Sequence, residues 1–228
     1  MKKIRFRASR SGDLMTNPRK KSETLSETAK ALIKDMFLEY EYGYREIIKT
    51  NPMDKGHLCE AMSRNLIQQV LGGEFRKENK TRSHNDLFSG MCDHKLQKVK
   101  IIEDVKNSWT LKTFMNADGK NAKYYAQGMT YLDLHGYDKF RLIYTLNPMP
   151  EQIFEKEKSK LLYMYDYDES NQDYIDHLNQ VIHNNELIAN LNLNDRVKVF
   201  EFDRDDNFIN DMHNRALEGI EYYKTLKL

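Results

Sequence analysis

The sequence predicts a mixed α/β fold in which a central β-sheet is flanked by helices. Three observations predict it. Two amphipathic helical stretches come first. A β-branched run at 98–106 and further apolar runs at 139–146 and 196–202 read as strands. A helical stretch at 121–135 lies between the first two of those strands. The order of helices, hairpin, strand, helix, strand and late elements suits one domain over residues 1–228, with no internal repeat or low-complexity tract.

The first helix is expected over 22–49, where Leu25, Ala29, Leu32, Ile33, Met36, Phe37 and Tyr40 recur at steps of three and four. Ser22 or Thr24 is placed to cap it, Gly43 to end or bend it, and Asn51-Pro52 to break the chain. A second helix is expected over 55–71, with Leu58, Met62, Leu66, Ile67 and Val70 as its apolar arc. At ~100° per residue, Glu60 falls between Ile67 and Leu71, at the margin of the buried face. Gly72-Gly73 closes that helix. Strands are expected at 74–80 and 86–96, then at 98–106, the clearest of all. A loop through Asn116-Ala117-Asp118-Gly119 leads to the helix at 121–135 and the strand at 139–146. Residues 151–192 read as polar helix with a turn near 168–171. The alternation from Arg196 to Phe202 reads as a strand with one exposed face, and a closing helix covers 206–225.

The chain has 39% apolar and 31% charged residues, and a mean hydropathy of −0.80. No run approaches the ~20 apolar residues of a membrane span, and the basic start lacks the apolar stretch of a signal peptide. Cys59 and Cys92 show no pairing by spacing, which suits a reduced, cytoplasmic setting. The net charge of +1 excludes a globally basic nucleic-acid coat. Charge is nonetheless local. Residues 1–21 carry Lys2, Lys3, Arg5, Arg7, Arg10, Arg19, Lys20 and Lys21 against Asp13 alone, and residues 76–82 add Arg76, Lys77, Lys80 and Arg82. Such patches suit a phosphate-bearing partner held in one groove, although the first six residues also read as a solvated tail.

The chemistry concentrates where Gly90-Met91-Cys92-Asp93 is followed by Asp104-Val105-Lys106 and then by Gln127 and Tyr131. Residues two apart on a strand share a face, so Asp104 and Lys106 point one way and Glu103 and Val105 the other. If Asp93 closes the preceding strand of a hairpin, it lies opposite Asp104. Adjacent carboxylates repel, and a divalent cation removes that penalty. Oxygen donors without histidine or thiol suit Mg²⁺ or Mn²⁺. Such a metal polarises a phosphoryl oxygen and generates hydroxide from bound water. Lys106 is then placed to hold or help deprotonate the attacking water, or to stabilise charge developing on the phosphate. Gln127 and Tyr131, at i and i+4, share a helix face with Tyr124 and either orient a nucleotide or brace the catalytic strand. Each motif alone is weak; their order on strand, strand and helix is not.

This pattern resembles the PD-(D/E)XK nuclease superfamily, with its restriction-endonuclease-like core. The resemblance is to the branch with an additional Gln-x-x-x-Tyr helix, which includes RecB-type nuclease domains and lambda-exonuclease or YqaJ-like phage recombination nucleases. Lys55-Gly56-His57-Leu58-Cys59-Glu60 is similar to the family's first-helix segment, Gly90 to Asp93 to its Gly-x-Pro-Asp element with Cys92 in place of proline, and Asp104-Val105-Lys106 to its (D/E)-x-K element. Arg7 to Gly12, with Leu14-Met15-Thr16, resembles the N-terminal segment of phage members. The resemblance covers roughly residues 5–146 and extends to the strand and helix after 196, while 151–195 has no counterpart in it and reads as a lid, a DNA clamp or a subunit contact. It implies Mg²⁺-assisted hydrolysis of DNA phosphodiesters. Asp93, Asp104, the Val105 carbonyl and Glu60 would hold metal, and Lys106 would serve the nucleophile. Gln127 and Tyr131 would complete the catalytic set, and Arg7, Ser9, Arg10 and Ser11 would bind DNA backbone or ends. An exonuclease on duplex ends in phage-type recombination or repair is expected, in a bacterial or phage-infected cell. A single-strand annealing protein and further copies of the chain are its expected partners. A site- or structure-specific endonuclease and a non-catalytic DNA-binding module are the alternatives.

Overall fold

The computed structural model describes residues 3–47 and 50–228. Met1 and Lys2 of the basic start, and the 48–49 end of the first expected helix, lie outside the described residues. The described chain begins with β1 (Phe6–Arg7), a 3-10 turn at Ala8–Arg10 and α1 (Ser11–Leu14). Helix α2 (Glu27–Tyr42) starts later than expected. Ser26 is the cap, its hydroxyl accepting the Ala29 N–H, and Gly43 stops the helix with φ of 68°. The expected single helix at 55–71 is two, α3 (Asn51–Leu58) and α4 (Glu60–Leu71), joined at Cys59. Pro52 in the first turn and the Thr50 cap set the earlier start.

The expected strand at 74–80 is extended chain without ladder partners. Its side chains explain why: Phe75 is 70% exposed while Arg76 is buried and committed to Glu103. An unanticipated β2 (Ser83–His84) comes first, and the expected strand at 86–96 is interrupted at Met91-Cys92-Asp93, giving β3 (Phe88–Gly90) and β4 (His94–Leu96). Strand β5 (Ile101–Asn107) follows, then an unanticipated α5 (Leu111–Met115), whose capping box joins Thr110 and Thr113 where glutamate is usual at the second position. The remaining elements fall close to expectation: α6 (Ala122–His135), β6 (Lys139–Thr145), α7 (Glu151–Met164), α8 (Gln172–Asn190), β7 (Val197–Asp203) and α9 (Asp206–Thr225).

The larger sheet has the order β4-β5-β6-β7, and a smaller one the order β1-β3-β2. Strands β5 and β6 are parallel, with Asp104 opposite Leu142, so the chain between them must cross over the sheet, and α6 makes that crossover. Strand β5 is buried on both faces from Ile101 to Asp104, as a central strand is. Helix α6 packs on the sheet because residue 128 is glycine: a Cβ there would meet the Phe140 ring at 2.1 Å. The other side of α6 faces α1, the 3-10 turn and α9, so Ala126 through Leu132 are all buried. Phe6, Leu14, Ile33, Phe88, Ile102, Met129, Leu132, Phe140 and Met212 form the core around it. A satellite of Phe114, Leu146 and Ile188 seats the α7–α8 hairpin.

Candidate active site

The hairpin register places His94 opposite Glu103, so Asp93, one residue further, lies opposite Asp104 as expected. Asp93 does not extend the ladder with its backbone. Its carboxylate instead accepts the Val105 N–H at 2.6 Å. Asp104 and Lys106 share a face, with Lys106 Nζ 2.6 Å from Asp104 Oδ2. From α6, the Gln127 amide donates to Asp104 Oδ1 at 3.2 Å and to the Tyr131 hydroxyl at 2.9 Å. Tyr131 donates in turn to the Met91 carbonyl at 3.1 Å. The helix motif thus ties both acidic segments together. Gly90 makes this approach possible, since a Cβ there would meet the Tyr131 ring at 2.7 Å and Ala8 at 2.8 Å. Tyr124, one turn before Gln127, puts its ring 4.6 Å from Lys106 Nζ.

On the opposite face, Glu103 is fully buried and bound by Arg76 Nε and Nη2 at 2.8 and 2.9 Å, with His94 at 3.2 Å. Burial acts against its charge, but these donors outweigh burial and hold its carboxyl below the ordinary range. Glu103 is therefore a structural ion-pair partner, and the face argument that selects Asp104 agrees with the geometry.

Asp93, Lys106, Val105, Tyr124, His57 and Glu60 line one cleft of about 640 Å³. Burial, and then the neighbouring Asp104 carboxylate, push the Asp93 carboxyl up to about 7. Burial opposes the Lys106 charge, yet Asp104 holds it above the ordinary lysine range. Burial and Asp104 likewise keep Tyr131 a neutral phenol. Burial pushes the Cys92 thiol up to about 12, which leaves no thiolate to compete as a soft ligand.

Two carboxylates side by side, one of them with a buried oxygen (Asp104 Oδ2) that has an ion pair but no hydrogen bond, fit a hard divalent cation. The Val105 N–H and C=O point to the same side of the strand, so its carbonyl is directed toward Asp93. Glu60 is not gathered with the aspartates. Against the expectation of a half-buried position it is exposed, and it accepts from His57 at 3.0 Å. Among the described residues no three acids, histidines or cysteines stand close enough together to hold a metal.

The N-terminal residues divide. Arg7 pairs with Glu39, and Arg10 with Asp13 at 2.7 Å and Asp35 at 3.4 Å. Ser11 is buried and donates to the Ala8 carbonyl, whereas Ser9 is exposed. Sequence reasoning missed a buried polar network behind the cleft. The Asn147 amide donates to Ser63 Oγ and Asn107 Oδ1, and Ser63 also meets Thr145. No local signal announces it.

No protein-family model and no curated protein matches the chain. Solved structures do. A phage-related exonuclease from Haemophilus somnus 129PT superposes with a TM-score of 0.76 at 21% identity, over 96% of this chain and 93% of that one. This chain has the fold of a phage-type exonuclease. The alkaline exonuclease LHK-Exo from Laribacter hongkongensis has the same exonuclease fold, with a TM-score of 0.63 at 14% identity over 96% and 88% of the two chains. A second structure of LHK-Exo is a complex with dAMP. Among the described residues no helix is long and apolar enough to cross a membrane.

Proposed function

We propose that this chain is a Mg²⁺-dependent deoxyribonuclease, an exonuclease acting on the ends of duplex DNA. One observation carries the reading: Asp93 and Lys106 line one cleft, with the buried Asp104 ion-paired to Lys106 beneath it, on a fold shared with solved exonucleases. The nucleotide bound by LHK-Exo supports DNA as the substrate. Asp93, Asp104 and the Val105 carbonyl would hold the metal, with Glu60 reaching it through water. A bound Mg²⁺ supplies charge neutralisation at the phosphate and an acidified water.

The residues themselves do the rest. Lys106, held as an ammonium by Asp104, donates hydrogen bonds to the attacking oxygen or to the phosphate; as an ammonium it is not a base. Gln127 fixes the Asp104 carboxylate, and Tyr131 fixes Gln127. Ser9 remains available to contact a DNA end, whereas Arg7 and Arg10 must exchange their acidic partners for phosphate to do so. Residues 1–228 act as one nuclease domain in this reading, 151–195 included. A single-strand annealing protein would take the exposed strand, and further copies of the chain would complete the assembly.

The test incubates the protein with linear and closed circular duplex DNA, with Mg²⁺ or with chelator. Metal-dependent loss of linear DNA alone is the expected result. Cutting of circles would make it an endonuclease, and DNA binding without metal-dependent cleavage would make it a binding module.

A further inference from the structure

Helix α3 separates two cavities. Met53, Gly56 and His57 face the catalytic cleft, while Lys55 faces a second cavity of about 630 Å³ between α3, α5 and the α7–α8 hairpin. The Lys55 ammonium is 1% exposed and donates to the Ser108 and Trp109 carbonyls at 3.1 and 3.0 Å. An ammonium has three N–H groups; beyond these two carbonyls the remaining neighbour is the Trp109 ring, its centroid 5.6 Å away, and no third oxygen or nitrogen acceptor is present among the described residues. No carboxylate pairs with it there, and burial lowers it to about 8.

The cavity is otherwise built for a flat, neutral, acceptor-bearing guest. Trp109 lines it, with Lys55 Nζ over one side of the indole at 5.6 Å from the ring centroid, and Met149, Leu187 and Ile188 offer apolar wall. The Asn184 and Asn185 carbonyls each accept one hydrogen bond within the protein, and their NH₂ groups have no acceptor among the described residues. The polar atoms of these three side chains that have no hydrogen bond are thus donors. An aliphatic guest would leave the donors unmet. An anion would meet Lys55 but also Glu157, which lines the same wall and accepts from Asn51. A nucleobase has the stacking face and the carbonyl and ring-nitrogen acceptors without the charge. Trp109 is three residues after Lys106, at most ~11 Å of chain, so a strand processed at Lys106 passes within reach.

We propose that this second cavity binds an unpaired nucleobase of single-stranded DNA, stacked on Trp109 and hydrogen-bonded by Lys55. The proposal rests on the DNA-processing reading above.

Trp109 is the one tryptophan in the chain, so its emission reports the cavity directly. The full chain in chelator is titrated with a short oligothymidylate, and separately with an abasic oligomer of the same length. Saturable quenching by the oligothymidylate, little by the abasic strand, and at least 10-fold weaker quenching in Leu187→Phe and in Asn184→Leu are expected. Melting curves confirm that both variants, at exposed positions, are folded. An unchanged emission, equal quenching by the abasic strand, or unaltered titrations in both variants overturns the proposal. Cleavage with Mg²⁺ is measured in parallel. Cleavage without a tryptophan response removes only the cavity assignment, and a response without cleavage removes only the nuclease reading.

Discussion

The carboxylate of Asp93 accepts the backbone N–H of Val105 at 2.6 Å, so an acid takes the place of a ladder carbonyl beside Asp104. The strand pairing is thereby ended by a charged group, at a cost in stability. In metal-free protein, Asp93→Asn keeps an oxygen for that N–H and removes the charge. It is expected to stabilise the fold by about 1–3 kcal/mol at pH 8 and to abolish cleavage. The sign follows from linkage. The folded carboxyl, at about 7, lies above its unfolded value, so the wild type loses stability as pH rises from ~4 through 7, and the variant does not. Thermal melts in chelator at pH 5 and pH 8 read both effects. A variant less stable than the wild type at pH 8 would contradict this account.

Lys106→Ala and Asp104→Asn are each expected to reduce release of nucleotides from linear duplex by at least about 10²-fold, with an unchanged circular dichroism spectrum. Cleavage retained in either variant removes the site assignment.

The amide and phenol of α6 act through Asp104. Gln127→Ala frees the Asp104 carboxylate, and Tyr131→Phe frees only the amide, so the loss of turnover is expected to be larger in the first. Tyr131→Phe should also cost about 1 kcal/mol of stability, because the Met91 carbonyl loses its donor. Steady-state kinetics on a labelled duplex, beside denaturant titrations, separates the two effects.

Glu103→Gln leaves the Arg76 guanidinium buried without its counter-charge and is expected to destabilise the fold by about 3–5 kcal/mol. Because the folded carboxyl sits below its unfolded value, its contribution is present above ~4.3 and disappears as pH falls through the folded value. Urea midpoints across that range should converge for wild type and variant at the acid end.

Much of the site is legible in the chain because local rules govern it. The two-residue pleat period puts Asp104 and Lys106 together and Glu103 away, and the helical step of four aligns Gln127 with Tyr131. The alternation of β7 and the glycine stop after α2 are equally local. What only the tertiary structure decided is where charges find their partners. Arg76 leaves the surface for Glu103, Glu39 and Asp13 neutralise the arginines that sequence reads as free for DNA, and Glu60 turns to His57 instead of the aspartates. Ion pairing across tens of residues depends on how whole elements dock, and no periodicity within one element encodes that docking.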